Sequence, residues 1–95
     1  MKIEFGGGLE QLFDNKQTLE LHFDEPEVTI QTVIEKLAQI CNELRSNVCL
    51  FLQDGLVRPG ILVLINDADW ELLDKEDTVV EDKDTILFNS TLHGG

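Results

Sequence analysis

The residues best suited to chemistry stand at the end of the chain, Ser90-Thr91-Leu92-His93-Gly94-Gly95. Glycine lacks a Cβ, so Gly94 and Gly95 can lie between tight walls and adopt dihedrals closed to other residues. Four residues beyond Thr91 reach at most about 14 Å, enough to thread a narrow cleft. A free carboxylate on Gly95 is a poor electrophile, being anionic and resonance-stabilised. Joined to AMP it gains a good leaving group, and a thiolate, persulfide or amine can then attack the acyl carbon to give a thioester, thiocarboxylate or amide. Every catalytic group for such a reaction would belong to another protein. Two terminal glycines arise by chance in roughly one chain in 200, so the glycines alone decide nothing.

Elsewhere the chain offers little chemistry, and no catalytic residue is assigned. His22 falls on the polar face of an expected strand without a nucleophile beside it, and reads as a surface histidine. Ser46 and Ser90 lack a nucleophile elbow, and neither Cys41 nor Cys49 has an evident electropositive setting. Gly6-Gly7-Gly8 is not followed by Lys-Ser or Lys-Thr, so it reads as a turn and not as a phosphate loop. Asp67-Ala68-Asp69 begins like a calcium loop, but Leu72 stands where the glycine belongs and Thr78 where the bidentate Glu belongs. Cys41 and Cys49 lack CxxC spacing and a companion His pair, which argues against zinc and a disulfide framework and for reduced, structural cysteines. No metal site and no cofactor bound by this chain are therefore expected.

Charge narrows the partners. Nineteen Asp and Glu against seven Lys and Arg give a formal net charge of −12, which repels phosphate backbones and anionic lipid. Neither direct nucleic-acid binding nor membrane association is expected. Asp69, Glu71, Asp74, Glu76, Asp77, Glu81, Asp82 and Asp84 are offset nearby only by Lys75 and Lys83; this end either steers a basic partner or serves as a solvated face that keeps the protein soluble. The first residues lack the apolar block of a secretory signal and no long apolar run follows, so a soluble cytoplasmic monomer, also found in the nucleus, is the expectation.

The elements that must carry the tail follow from periodicity. With 95 residues, 42% of them hydrophobic and no linker-like stretch, residues 1–95 read as one domain with a modest core and an extended tail from about residue 92. Ile3 and Phe5 alternate with Lys2 and Glu4, and Gly6-Gly7-Gly8 ends that strand. Leu9, Leu12 and Phe13 fit one helical turn. Residues 18–23 alternate again, with Leu19, Leu21 and Phe23 on one face, completing an N-terminal hairpin. Thr29 can cap a helix whose stripe is Ile30, Val33, Ile34, Leu37, Ile40, Cys41 and Leu44.

Residues 48–52 are apolar, and Asp54-Gly55 and Arg58-Pro59-Gly60 are turn signals. Residues 61–65 are apolar without a break, which predicts a strand with two apolar faces, one on the helix and the other either covered by the preceding loop or free for docking. Ile61, Val63, Ile65 and Leu87 are the docking candidates. Trp70, expected as a packed anchor, opens a short strand over 70–73, and Ile86 and Phe88 alternate with Thr85, Leu87 and Asn89 in the last strand. The order, hairpin, helix, strands, predicts an α+β, β-grasp (ubiquitin-like) fold: a mixed sheet of four to five strands packed against one main helix.

Arg58-Pro59-Gly60-Ile61, Leu64-Ile65-Asn66-Asp67 followed by Asp69-Trp70-Glu71-Leu72, and the tail from Ser90 to Gly95 closely resemble the ubiquitin-related modifier 1 family, over essentially the whole chain. The tail Leu92-His93-Gly94-Gly95 differs from the Leu-Arg-Gly-Gly of ubiquitin, which argues against the ubiquitin activating enzyme as partner. The resemblance implies a sulfur carrier, not an enzyme. An E1-like activating enzyme with adenylating and rhodanese domains, using ATP and magnesium, would adenylate Gly95 and convert it to a thiocarboxylate. A separate tRNA 2-thiolation complex would take the sulfur for the wobble uridine of certain cytosolic tRNAs. It also implies conjugation through Gly95 to lysines of target proteins. Gly95 would be the covalent site, with Gly94, His93 and Leu92 read by the cleft. The alternative is a non-covalent interaction domain with an incidental tail.

Overall fold

The computed structural model describes residues 1–91. Its core is a five-stranded mixed sheet with one helix across it. β1 (Lys2–Gly6) and β2 (Thr18–Glu20) form the N-terminal hairpin, with Ile3 opposite Leu19. Between them a 3-10 helix, Leu9–Phe13, buries Leu9, Leu12 and Phe13. β3 (Glu27–Thr29) leads directly into α1 (Ile30–Glu43), where the Thr29 side chain accepts from Thr32 N and so satisfies one of the free donors of the first turn.

Five positions of the expected stripe, Ile30, Val33, Ile34, Leu37 and Cys41, are buried. Ile40 is half-buried at the margin of the stripe, and Leu44, the C-cap just past the helix, is exposed. The 46–60 segment turns back through a 3-10 helix, Val48–Leu50, and plugs Phe51 into the core. A small hairpin, β4 (Leu52–Gln53) and β5 (Leu56–Val57), follows. Its two turn residues, Asp54 and Gly55, both have positive φ (55° and 80°), the conformation that matches a two-residue turn to the strand twist.

β6 (Ile61–Ile65) pairs antiparallel with β7 (Ala68–Asp69), and β8 (Val79–Glu81) pairs antiparallel with β3 beside the main sheet. β9 (Thr85–Ser90) occupies the centre, parallel to β1 and antiparallel to β6, giving the order β2-β1-β9-β6-β7. Four phenylalanines close the core beneath it. Phe5 stacks on Phe13 at 4.0 Å, and Phe51 meets Phe13 and Phe88 edge-on at 5.9 and 5.4 Å. Edge-on and offset rings bring positive edges to negative faces, a favourable addition to area burial.

Two expectations are corrected. The strand expected over residues 70–73 is a 3-10 helix, Trp70–Leu72, with the Asp69 side chain accepting from Glu71 N at 2.9 Å. Asn66 and Asp67 take positive φ (50° and 70°) and make a two-residue turn, so pairing with β6 resumes at once at Ala68 and is spent before Trp70. The strand over 18–23 pairs only through Glu20, although Leu21 remains buried and donates its N–H to Met1 O at 2.9 Å. The β3–β8 pair was not anticipated.

Candidate functional site

The end of the central strand is held on both sides. β9 is paired on both sides, with Phe88 opposite Phe5 in β1 and Val63 in β6. Just past its end, Thr91 donates both its N–H (2.8 Å) and its hydroxyl to Gly60 O. On the β1 side, Gly7 has φ 66°, and a Cβ there would lie 1.9 Å from Ser90 O. Only glycine can pass so near that carbonyl with such a dihedral. The Arg58-Pro59-Gly60 turn and the Gly6-Gly7-Gly8 turn thus flank Ser90 and Thr91, the last of the described residues. Leu92, His93, Gly94 and Gly95, the expected covalent and recognition residues, lie outside the described residues.

The docking candidates divide. Ile61, Val63 and Ile65 are buried in the core with Ile86 and Phe88, so their side chains cannot form a docking surface. Their neighbours Leu62 and Leu64, missed in the sequence, are the half-buried side chains of the other face. Register explains the exchange. Leu64 lies opposite Leu87 and Leu62 opposite Asn89, and residues opposite each other across a ladder share a face. Leu87, also a candidate, lies on the same face as Leu62 and Leu64. Glu4 lies beside Leu87 on the same face, so the apolar strip is bordered by charge.

The remaining candidates are structural. Cys41 is fully buried, its Sγ 3.9 Å from Leu12 O, and burial pushes its thiol up to about 11, which makes it a poor nucleophile at neutral pH. Cys49 is exposed and also free. His22 is exposed, with Nδ1 3.3 Å from Asp82 Oδ1. That carboxylate is held below its ordinary value of 3.8 chiefly by the hydrogen bond from the Met1 ammonium and by its charge, with His22 adding less. Trp70 is half-buried against the core, as an anchor should be. No group of three metal-ligating side chains, and no helix long and apolar enough to cross a membrane, occurs among the described residues.

A sheet-and-helix body whose central strand ends at Ser90, with Thr91 held to Gly60 beyond it, matches known proteins over the whole length of the chain. The family model of Urm1 (Ubiquitin related modifier) matches residues 1–95. The chain belongs to the ubiquitin-related modifier family. It is 53% identical over 96 residues to ubiquitin-related modifier 1 homolog of Dictyostelium discoideum, covering 100% of this chain and 98% of the other. It is 50% identical over 97 residues to ubiquitin-related modifier 1 of Mus musculus, covering 100% and 94%. The solution structure of Urm1 from Trypanosoma brucei superposes with a TM-score of 0.82 at 37% identity, over 99% of this chain and 93% of that one. As a ubiquitin-related modifier, the chain is a small carrier and modifier body on a β-grasp fold, and not itself an enzyme.

Proposed function

We propose that this ubiquitin-related modifier carries sulfur as a thiocarboxylate on Gly95 and is also joined through Gly95 to lysines of target proteins. The observation that carries the reading is the double anchoring of Thr91 to Gly60 at the end of the central strand, four residues before a Gly-Gly end. A rigid root lets the body be gripped while only the last residues enter another protein's cleft. Adenylation expels pyrophosphate from ATP, supplied with magnesium in the activating enzyme. Sulfide then displaces AMP to leave the thiocarboxylate, or a persulfide displaces AMP and a thiol cleaves the resulting acyl disulfide to the same product; a lysine amine displaces AMP to leave the amide. The thiocarboxylate would serve a tRNA 2-thiolation complex acting on the wobble uridine, in the cytoplasm and also in the nucleus. Leu62, Leu64 and Leu87 would meet the activating enzyme, with Gly94, His93 and Leu92 read in its cleft.

Intact-mass analysis after incubation with ATP, magnesium, a sulfur donor and the activating enzyme should show one oxygen exchanged for sulfur at Gly95. Gly95→Ala should abolish that product while leaving the unfolding midpoint unchanged, because a Cβ crowds the partner's cleft. A normal rate of adenylation for Gly95→Ala would remove the steric basis of the proposal. Gly-Gly remnants on substrate lysines report the second role. A plain interaction domain would keep its function when Gly94 and Gly95 are deleted.

A further inference from the structure

Strand β6 has two edges with different fates. One pairs with β9 along its whole length, from Ile61 opposite Ser90 to Ile65 opposite Ile86. On the other, β7 pairs only Leu64 and Ile65, so Ile61 and Leu62 face no strand among the described residues, and the register sets Val63 beside Trp70, where β7 has ended. Hydrogen-bond parity says which groups stand on that open side. Thr91 N–H donates to Gly60 O and Asn66 N–H donates to Thr85 O. The backbone groups of the even-numbered residues therefore point toward β9, and those of Ile61 and Val63 point away from it. Ile61 N–H is taken by Arg58 O within its own turn. Ile61 C=O and Val63 N–H are then an acceptor and a donor two residues apart, the spacing at which an added strand forms its pair of bonds.

A groove of about 280 Å³ opens beside them, lined by residues 60–63, by Asp69, Trp70 and Glu71, and by Thr91. Trp70 is packed against the core and offers a fixed aromatic wall. The Glu71 carboxylate is exposed and only loosely engaged, 3.9 Å from Lys75 Nζ. No Lys or Arg lines the groove, and the molecule as a whole carries −12. A tryptophan flanked in the chain by two carboxylate residues that line the same groove, in a strongly negative protein, selects a cation.

The geometry points to a docking site for an extended, cationic peptide segment of a partner protein, added as a strand along residues 61–63 with a Lys or Arg side chain set against Trp70, Asp69 and Glu71. This docking is independent of the chemistry of Gly95. One consequence does rest on the proposed function. Thr91 lines the same groove, and four further residues span at most about 14 Å, so a lysine on the docked segment is within reach of an activated carboxylate.

The test is titration of the 15N-labelled full chain with an acetylated, amidated peptide of alternating lysine and valine, followed by NMR. The expected result is shifts centred on the Val63 amide and the Trp70 indole, with slowed exchange of the Val63 amide. Glu71→Lys should weaken binding at least tenfold without changing the melting temperature. The same peptide with glutamate for lysine, or with its backbone nitrogens methylated on the docking edge, should not bind. Binding undiminished by that methylation overturns strand addition. Shifts concentrated on residues 81–84, without protection of Val63, overturn the site. The chain lacking Gly94 and Gly95 should bind as the full chain does, so failure here and failure of the carrier reading are told apart.

Discussion

At the β2 margin of the sheet the chain is tied down by charge, whereas at the β6 margin it is left open beside an aromatic wall. The Met1 ammonium donates to Leu21 O at 3.0 Å and to Asp82 Oδ1 at 3.1 Å, with Glu20 Oε2 at 3.5 Å. These contacts join β1, the end of β2 and the turn before β9. β2 itself is short, with Thr18 and Glu20 exposed, and a short edge carrying charge discourages further strands. At the other margin β7 is only two residues long, and the uncovered part of β6 faces Trp70 and a groove. Two short edge strands, of three and two residues, thus have opposite results: one margin discourages addition and the other is shaped for it.

Changes at the centre, which both margins share, should cost most. Phe88 is fully buried and meets Phe5 and Phe51, so Phe88→Ala should destabilise by about 3–5 kcal/mol in urea unfolding. A loss confined to one margin, with the amides of the other still protected, would show the two to be separate units. Leu21→Ala comes next. It removes a buried side chain just past β2 and should cost about 2–4 kcal/mol, while leaving binding of a cationic peptide at the β6 groove intact. Coupling between the two would mean that the margins are not independent.

The smallest effect is expected from Asp82→Asn. The Asp82 pKa is depressed in the folded protein, so its contribution is full above its ordinary value of 3.8 and is lost as the pH falls through the lower folded value. The variant should therefore show a shallower decline in unfolding midpoint as the pH falls below the ordinary value of 3.8, and almost no change at neutral pH. Parallel acid limbs for the two proteins would show that Met1 is not held by this carboxylate.

The helix was readable because a 3.6-residue period places Ile30, Val33, Ile34, Leu37 and Cys41 on one stripe whatever lies beneath it. β1 and β9 were readable for the same kind of reason, since Ile3, Phe5, Ile86 and Phe88 alternate with Lys2, Glu4, Thr85, Leu87 and Asn89, all polar but Leu87. β6 was readable as a strand but not in its inward face, because Ile61-Leu62-Val63-Leu64-Ile65 is apolar at every position and carries no period to break the tie between faces. That tie misassigned the docking residues. The short β3 and β8 also left no trace, each being three residues long and paired only after the chain has folded.

By itself the sequence determined a β-grasp order of elements, a strongly acidic surface and a chain end of two glycines, since composition and local period act before any long-range contact forms. Tertiary structure alone decided which face of β6 is buried, where β7 stops, and that Thr91 is anchored to Gly60. Those depend on register, and register is set by which strands meet across the sheet, a choice in which a shift of one residue exchanges every inward side chain for an outward one.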